Sequence, residues 1–151
     1  MSKKQSLIRW YRTQIQNLTL RLEDAKFKEL GVELTEELEE SRTRFEYLLN
    51  LILFNGEVQG EPPKRIIRAT KPQSVMPAYD FDAYFEQLQA AESPETRQAI
   101  RQRERDYVAS LPETEQQQFR ESYNQYLKAE AERFRRMADQ AEEMFGVKRA
   151  A

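Results

Sequence analysis

The chain has 151 residues, 39% of them apolar and 33% charged, with 4 Gly, no Cys and no His. A soluble domain is ordinarily about 25% charged, so this sequence is rich in surface and sparing with core. The two missing residue types exclude disulfides, thiolate nucleophiles, imidazole bases, haem-ligating histidine and Cys/His zinc sites.

The 24 basic and 26 acidic side chains nearly cancel but are unevenly spread. Residues 1–30 carry 7 basic and 3 acidic groups, whereas residues 31–60 carry 2 and 7. These segments can attract one another within a chain or between two copies, which guides association more than it stabilises. Lys3 and Lys4 are followed by Arg9 and Arg12 rather than by an apolar stretch, so no signal peptide is expected. The apolar run Leu48 to Phe54 is interrupted by Asn50 and is far too short to span a bilayer. A cytoplasmic protein with no membrane association is the expectation.

From Ser6 to about Lys28, apolar residues recur at steps of three and four: Ile8, Tyr11, Ile15, Leu18, Leu22 and Ala25. That spacing predicts one stripe along a helix, widened by Leu7, with Leu20 and Phe27 pointing away. Gly31 is placed to end the helix in the left-handed region. Leu34-Thr35-Glu36-Glu37 then predicts a new start with Thr35 as N-cap and acids at the positive end of the dipole. The second helix puts Leu38, Phe45, Leu48, Leu49 and Ile52 on one face. Tyr47, Leu51 and Phe54 lie off it, so the last two turns are apolar nearly all round and must be covered by the rest of the chain or by a second copy. Asn55-Gly56 stops it, and the short link makes the pair a helical hairpin.

Between residues 55 and 79 fall Gly56, Gly60, Pro62, Pro63, Pro72 and Pro77, which exclude a helix interior. An extended, basic, Pro-rich strap is expected over 57–79, separating a hairpin at 1–56 from a helical region at 80–151 that could share one domain with it. Helical signals resume at Asp80 or Asp82, with Phe81, Tyr84, Phe85 and Leu88 on one face. Ser93-Pro94-Glu95 predicts a capped restart, and Leu111-Pro112-Glu113 opens a last helix running to Phe145. Its broad apolar face holds Phe119, Tyr123, Tyr126, Leu127, Phe134, Met137, Ala138, Ala141, Met144 and Phe145. At 1.5 Å per residue it is on the order of 50 Å long, and long single-stripe helices pack side by side as bundles or coiled coils.

Four constellations bear on chemistry. Arg9-Trp10-Tyr11-Arg12 joins cations to aromatic rings, as nucleic-acid binders do, although the helical stripe already accounts for Tyr11. Arg97, Arg101 and Arg105 stand at i, i+4 spacing and could track phosphates, with Lys64, Arg65 and Arg68 extending the basic surface. Glu104 and Asp106 in the same helix favour a solvated face with local ion pairs. The pairs Glu36/Glu39 and Glu37/Glu40 have the spacing of a helical magnesium site, but first-turn acids need no metal, and the complementary ExxD is missing. No phosphate-loop, dinucleotide or serine-hydrolase motif occurs. Finally, Glu130 interrupts the apolar stripe of the last helix. It is either buried with a partner that fixes register or locally exposed.

These readings make the chain all-α: a helical hairpin, an extended strap, then three helices ending in a long amphipathic one. The functional expectation is a non-enzymatic interaction or scaffolding module without cofactor or metal. It meets a protein partner and self-associates, a dimer being favoured, through Leu48, Leu51, Ile52, Phe54, Phe134, Met137 and Phe145. The alternative is a nucleic-acid-associated accessory protein using Arg9, Arg12, Lys64, Arg65, Arg68, Arg97, Arg101 and Arg105.

Overall fold

The structure, a computed structural model, describes residues 2–54 and 79–145. These form five α-helices and no strand: α1 (Lys3–Lys28), α2 (Val32–Phe54), α3 (Phe81–Ala90), α4 (Pro94–Ala109) and α5 (Glu113–Phe145). The all-α expectation is met. The Pro-rich strap, including Lys64, Arg65 and Arg68, lies outside the described residues apart from its last position, Tyr79.

Local chemistry explains the helix ends. Ser2 caps α1 by accepting the Gln5 N–H at 3.1 Å, while its own N–H donates to Gln5 Oε1 at 3.1 Å, a reciprocal capping box. This begins α1 three residues earlier than the apolar stripe indicates. Asp80 caps α3 through the Ala83 N–H, and Ser93 caps α4 through the Thr96 N–H, each at 3.1 Å. Pro94 opens α4 where no amide donor is needed.

The α1–α2 turn differs from expectation. Glu29, not Gly31, takes the left-handed cap of α1 with φ 57°, and Gly31 follows at φ 66°. Helix α2 therefore starts at Val32, and Thr35 lies within its first turn, donating its hydroxyl to Val32 O at 2.8 Å instead of capping. Glycine is required at 31 twice over. The φ is left-handed, and a Cβ there would stand 2.3 Å from Leu127 Cδ1.

Helix α1 packs on α2 and α3 and reaches α4 and α5 through its side chains. Thr19 beside Arg42 and Tyr11 beside Phe45 show that α2 runs back along α1. Gly31 at Leu127 and Arg44 at Glu142 show that α2 and α5 run parallel. Helix α5 thus packs on α2 with its C-terminal half, while its N-terminal half meets the α3–α4 hairpin: Phe119 and Tyr123 touch Phe81, and Tyr126 stacks on Phe85. One hydrophobic core runs through all five helices. Leu20, expected to face away from the stripe, is buried.

Candidate functional site

The most concentrated polar chemistry lies inside the molecule, at the C-terminal end of α1. Asp24 is fully buried, one helical turn before Lys28. Its Oδ2 accepts from the Tyr123 hydroxyl of α5 at 2.7 Å, and its Oδ1 accepts from the Tyr84 hydroxyl of α3. Lys28 bridges Asp24 to Glu104 of α4. The Lys28 ammonium is also caged by rings, 4.3 Å from the Tyr84 centroid and 4.7 Å from that of Tyr123. Tyr79 donates to Glu104 from outside. Four helices thus converge on one ammonium and two carboxylates.

Burial pushes the Glu104 carboxyl up from the ordinary carboxylate range, against the ammonium of Lys28 and the Tyr79 hydroxyl that pull it down. Burial and the Asp24 carboxylate push the Tyr84 and Tyr123 phenols well above theirs. Every hydroxyl in the cluster is therefore a donor at neutral pH. The Lys28 side chain is clamped between the two acids and the two rings.

Two further ion pairs fasten α5. Buried Arg21 donates to Tyr126 Oη at 3.0 Å and Glu130 Oε1 at 3.3 Å, and Glu130 Oε2 also accepts from Arg133 at 2.6 Å. The interruption at Glu130 is thus a buried, partnered charge. Arg44 of α2 grips Glu142 with two bonds, at 2.7 and 2.8 Å, and also meets Asp139.

Above the Lys28–Glu104 pair opens a cleft of about 490 Å³ between the end of α1, the inner face of α4 and the start of α5. Phe27, Leu30, Val108 and Phe119 supply its apolar lining. Arg101, Arg105 and Arg120 reach it from α4 and α5. Arg101 is turned inward, pairing with Glu23 at 3.1 Å, with its Nε 3.9 Å from Asp24 Oδ1. The Arg105 guanidinium lies 5.4 Å over the Phe27 ring.

The expected interface residues divide sharply. Leu48, Ile52, Phe134 and Met137 are buried in this chain's own core, so within one copy they face its other helices. Leu51 is half-buried, and Phe145 packs edge-on to Tyr11. Phe54 alone of the set is fully outward, 87% exposed. The expected arginine ladder is also divided, since Arg101 faces inward and Arg105 rests on a ring. Arg9 and Arg12 are exposed, and Tyr11 between them is buried against Phe45. Glu36, Glu37, Glu39 and Glu40 are not buried, Glu39 pairing with Lys26 at 3.7 Å. Among the described residues no group of three or more Asp or Glu could hold a metal ion, and no helix is long and apolar enough to cross a membrane.

Asp24, Lys28 and Glu104 carry no signal in the sequence, because isolated charges on a helix read as solvated. Comparison with protein-family models, curated proteins and solved structures finds no match to the chain.

Proposed function

We propose that the protein is a non-enzymatic helical interaction module that self-associates, as a dimer in the simplest case, through the outer stripe of α2. The observation that carries this reading is the exposure of Tyr47 and Phe54, 55% and 87%, with half-buried Leu51 between them. Positions 47, 51 and 54 follow the i, i+4, i+7 spacing by which one helix docks on another. Singly scattered apolar residues on a surface need no explanation, but a contiguous stripe does. Residues 47–54 contain no charged side chain, so two copies can meet there without desolvating a charge, and a two-fold contact would present the same stripe from each side.

Light scattering on the full chain at micromolar concentration tests this. The expected mass is twice that of one chain, falling to one chain in Tyr47→Glu and Phe54→Glu, with unfolding free energy within about 0.5 kcal/mol of wild type because both sites are exposed. A wild-type monomer throughout that range refutes the reading.

A second reading, association with nucleic acid, draws its support from Arg9 and Arg12. Both are exposed beside Thr13 and Gln16, and neither has a carboxylate within reach among the described residues. It requires that labelled DNA or RNA bind with steep weakening by salt and that Arg9→Gln/Arg12→Gln abolish the binding.

A further inference from the structure

The cleft at the C-terminal end of α1 lies at the other end of that helix from the Tyr47–Phe54 stripe, and it has a character of its own. Its cations fall into two groups. Lys28 is committed to Asp24 and Glu104, and Arg101 to Glu23 and Asp24. Arg105 and Arg120 have no carboxylate within ion-pair reach among the described residues. The remaining acid of the lining is Glu29, exposed at the end of α1. Arg101 Nε is buried with no hydrogen-bond partner, since 3.9 Å to Asp24 exceeds hydrogen-bond reach.

Two uncommitted guanidiniums therefore approach one concavity from different helices, over a floor that holds buried Phe119. The Arg105 guanidinium lies 5.4 Å from the Phe27 centroid, within cation–π reach, and the planar fork of N–H donors on an arginine matches a multi-oxygen anion. A phosphate monoester carries about −1.5 to −2 at neutral pH, enough to answer two arginines, whereas a monocarboxylate answers one. At about 490 Å³ the space is of small-molecule size. A nucleic-acid backbone would need cations continuing along the surface, and Arg101 breaks that run by turning inward.

We propose that this cleft is a binding site for a small phosphate monoester, the phosphate held by Arg105 and Arg120 and an apolar or aromatic body resting on Phe27, Leu30, Val108 and Phe119. The Lys28–Glu104 pair closes the floor beneath it.

Isothermal titration calorimetry on the full chain tests the proposal with three probes: phenyl phosphate, benzoate and phenol. One phenyl phosphate should bind per chain, about tenfold or more tighter than benzoate, with no binding of phenol. Arg105→Gln and Arg120→Gln should each weaken phenyl phosphate by about tenfold or more, the equivalent of one charge-assisted hydrogen bond. Both sites are exposed, so helicity and unfolding midpoint should stay at wild-type values. Glu29→Gln should tighten binding by removing the opposing charge. Absence of phenyl phosphate binding at millimolar concentration overturns the proposal. So does binding unchanged in both arginine variants, or a short DNA duplex binding through these arginines while phenyl phosphate does not.

Discussion

The Arg21–Glu130 pair permits a quantitative test of how the bundle is held together. Arg21 is buried and donates to Asn17 O at 3.0 Å, to Tyr126 Oη at 3.0 Å and to Glu130 Oε1 at 3.3 Å. The guanidinium carbon lies 4.5 Å from the Phe85 centroid. Arg21→Met conserves most of the volume but takes from the fully buried Glu130 one of its cations, leaving the Arg133 bond in place. Removing one partner of a buried ion pair costs ~3–5 kcal/mol, and the surviving Arg133 bond sets the expectation at the low end, about 3 kcal/mol. Glu130→Met orphans Arg21 instead, which keeps Tyr126, Asn17 and its ring contacts, so about 3 kcal/mol is expected again.

The double variant removes both charges together. It should cost no more than either single variant, about 3 kcal/mol where additivity demands ~6, giving a coupling energy of about 3 kcal/mol. Urea unfolding followed by circular dichroism and by the fluorescence of Trp10 measures all three. At ~2–4 °C per kcal/mol for a domain of this size, each single variant should melt roughly 6–12 °C lower. Additive losses in the double variant would show that the two charges are not coupled. Losses under about 0.5 kcal/mol in the singles would show that Glu130 is solvated.

Two further outcomes follow from the same packing. Gly31→Ala places an L residue at φ 66° and a methyl 2.3 Å from Cδ1 of the fully buried Leu127. A loss of about 2–4 kcal/mol is expected from left-handed strain and overpacking, and a change below about 1 kcal/mol in urea unfolding refutes this account. Burial raises the phenols of Tyr11, Tyr79, Tyr84, Tyr123 and Tyr126 in the folded chain. Each then contributes stability that is complete below the unfolded pKa near 10 and is lost as pH rises toward the folded value. Helicity should collapse steeply in alkali, at up to ~7 kcal/mol per pH unit if all five ionise on unfolding. The refuting result is a tyrosinate absorbance that reaches the level of all seven tyrosines while helicity is intact.

Periodicity and capping chemistry made most of the helical architecture readable in advance. The stripe of α5 from Phe119 to Ala141 is buried as its spacing demands, and Ser93-Pro94 opens α4 as its chemistry demands. The start of α2 departs from its capping signature for a local reason. A threonine before two glutamates has the signature of a cap, yet its hydroxyl serves Val32 O, and Glu29 had already turned the chain. The candidate site was much less legible. Lys28 and Glu104 come together across α1 and α4, and Tyr123 reaches Asp24 from α5. Periodicity reports which face of a helix is apolar but not which distant helix brings a partner to a charge on it. Glu130 is instructive in contrast, because a charge inside an apolar stripe marks itself, and only the identity of Arg21 was missing. The expected interface suffered the converse problem: apolar faces at Leu48, Ile52, Phe134 and Met137 look alike in sequence whether they meet the same chain or another copy.

The contacts between α1 and α5 also set a timetable. Helix α1 depends on α5, which is made long after it: Asp24 waits for Tyr123, Arg21 for Glu130, and Tyr11 for the ring of Phe145. At the usual ~5–20 residues per second, α5 is complete only on the order of 10 s after α2, and until then Arg21 lacks Glu130, and Asp24 has Lys28 of its own helix but not Tyr123. During that interval water solvates Asp24 and Arg21 freely, and the desolvation that makes the finished network so demanding has not begun. Closure by α5 then proceeds through contacts of long sequence separation, which slows folding. It also makes the bundle an all-or-none object: a chain that stops short of α5 loses its lock as well as its last helix.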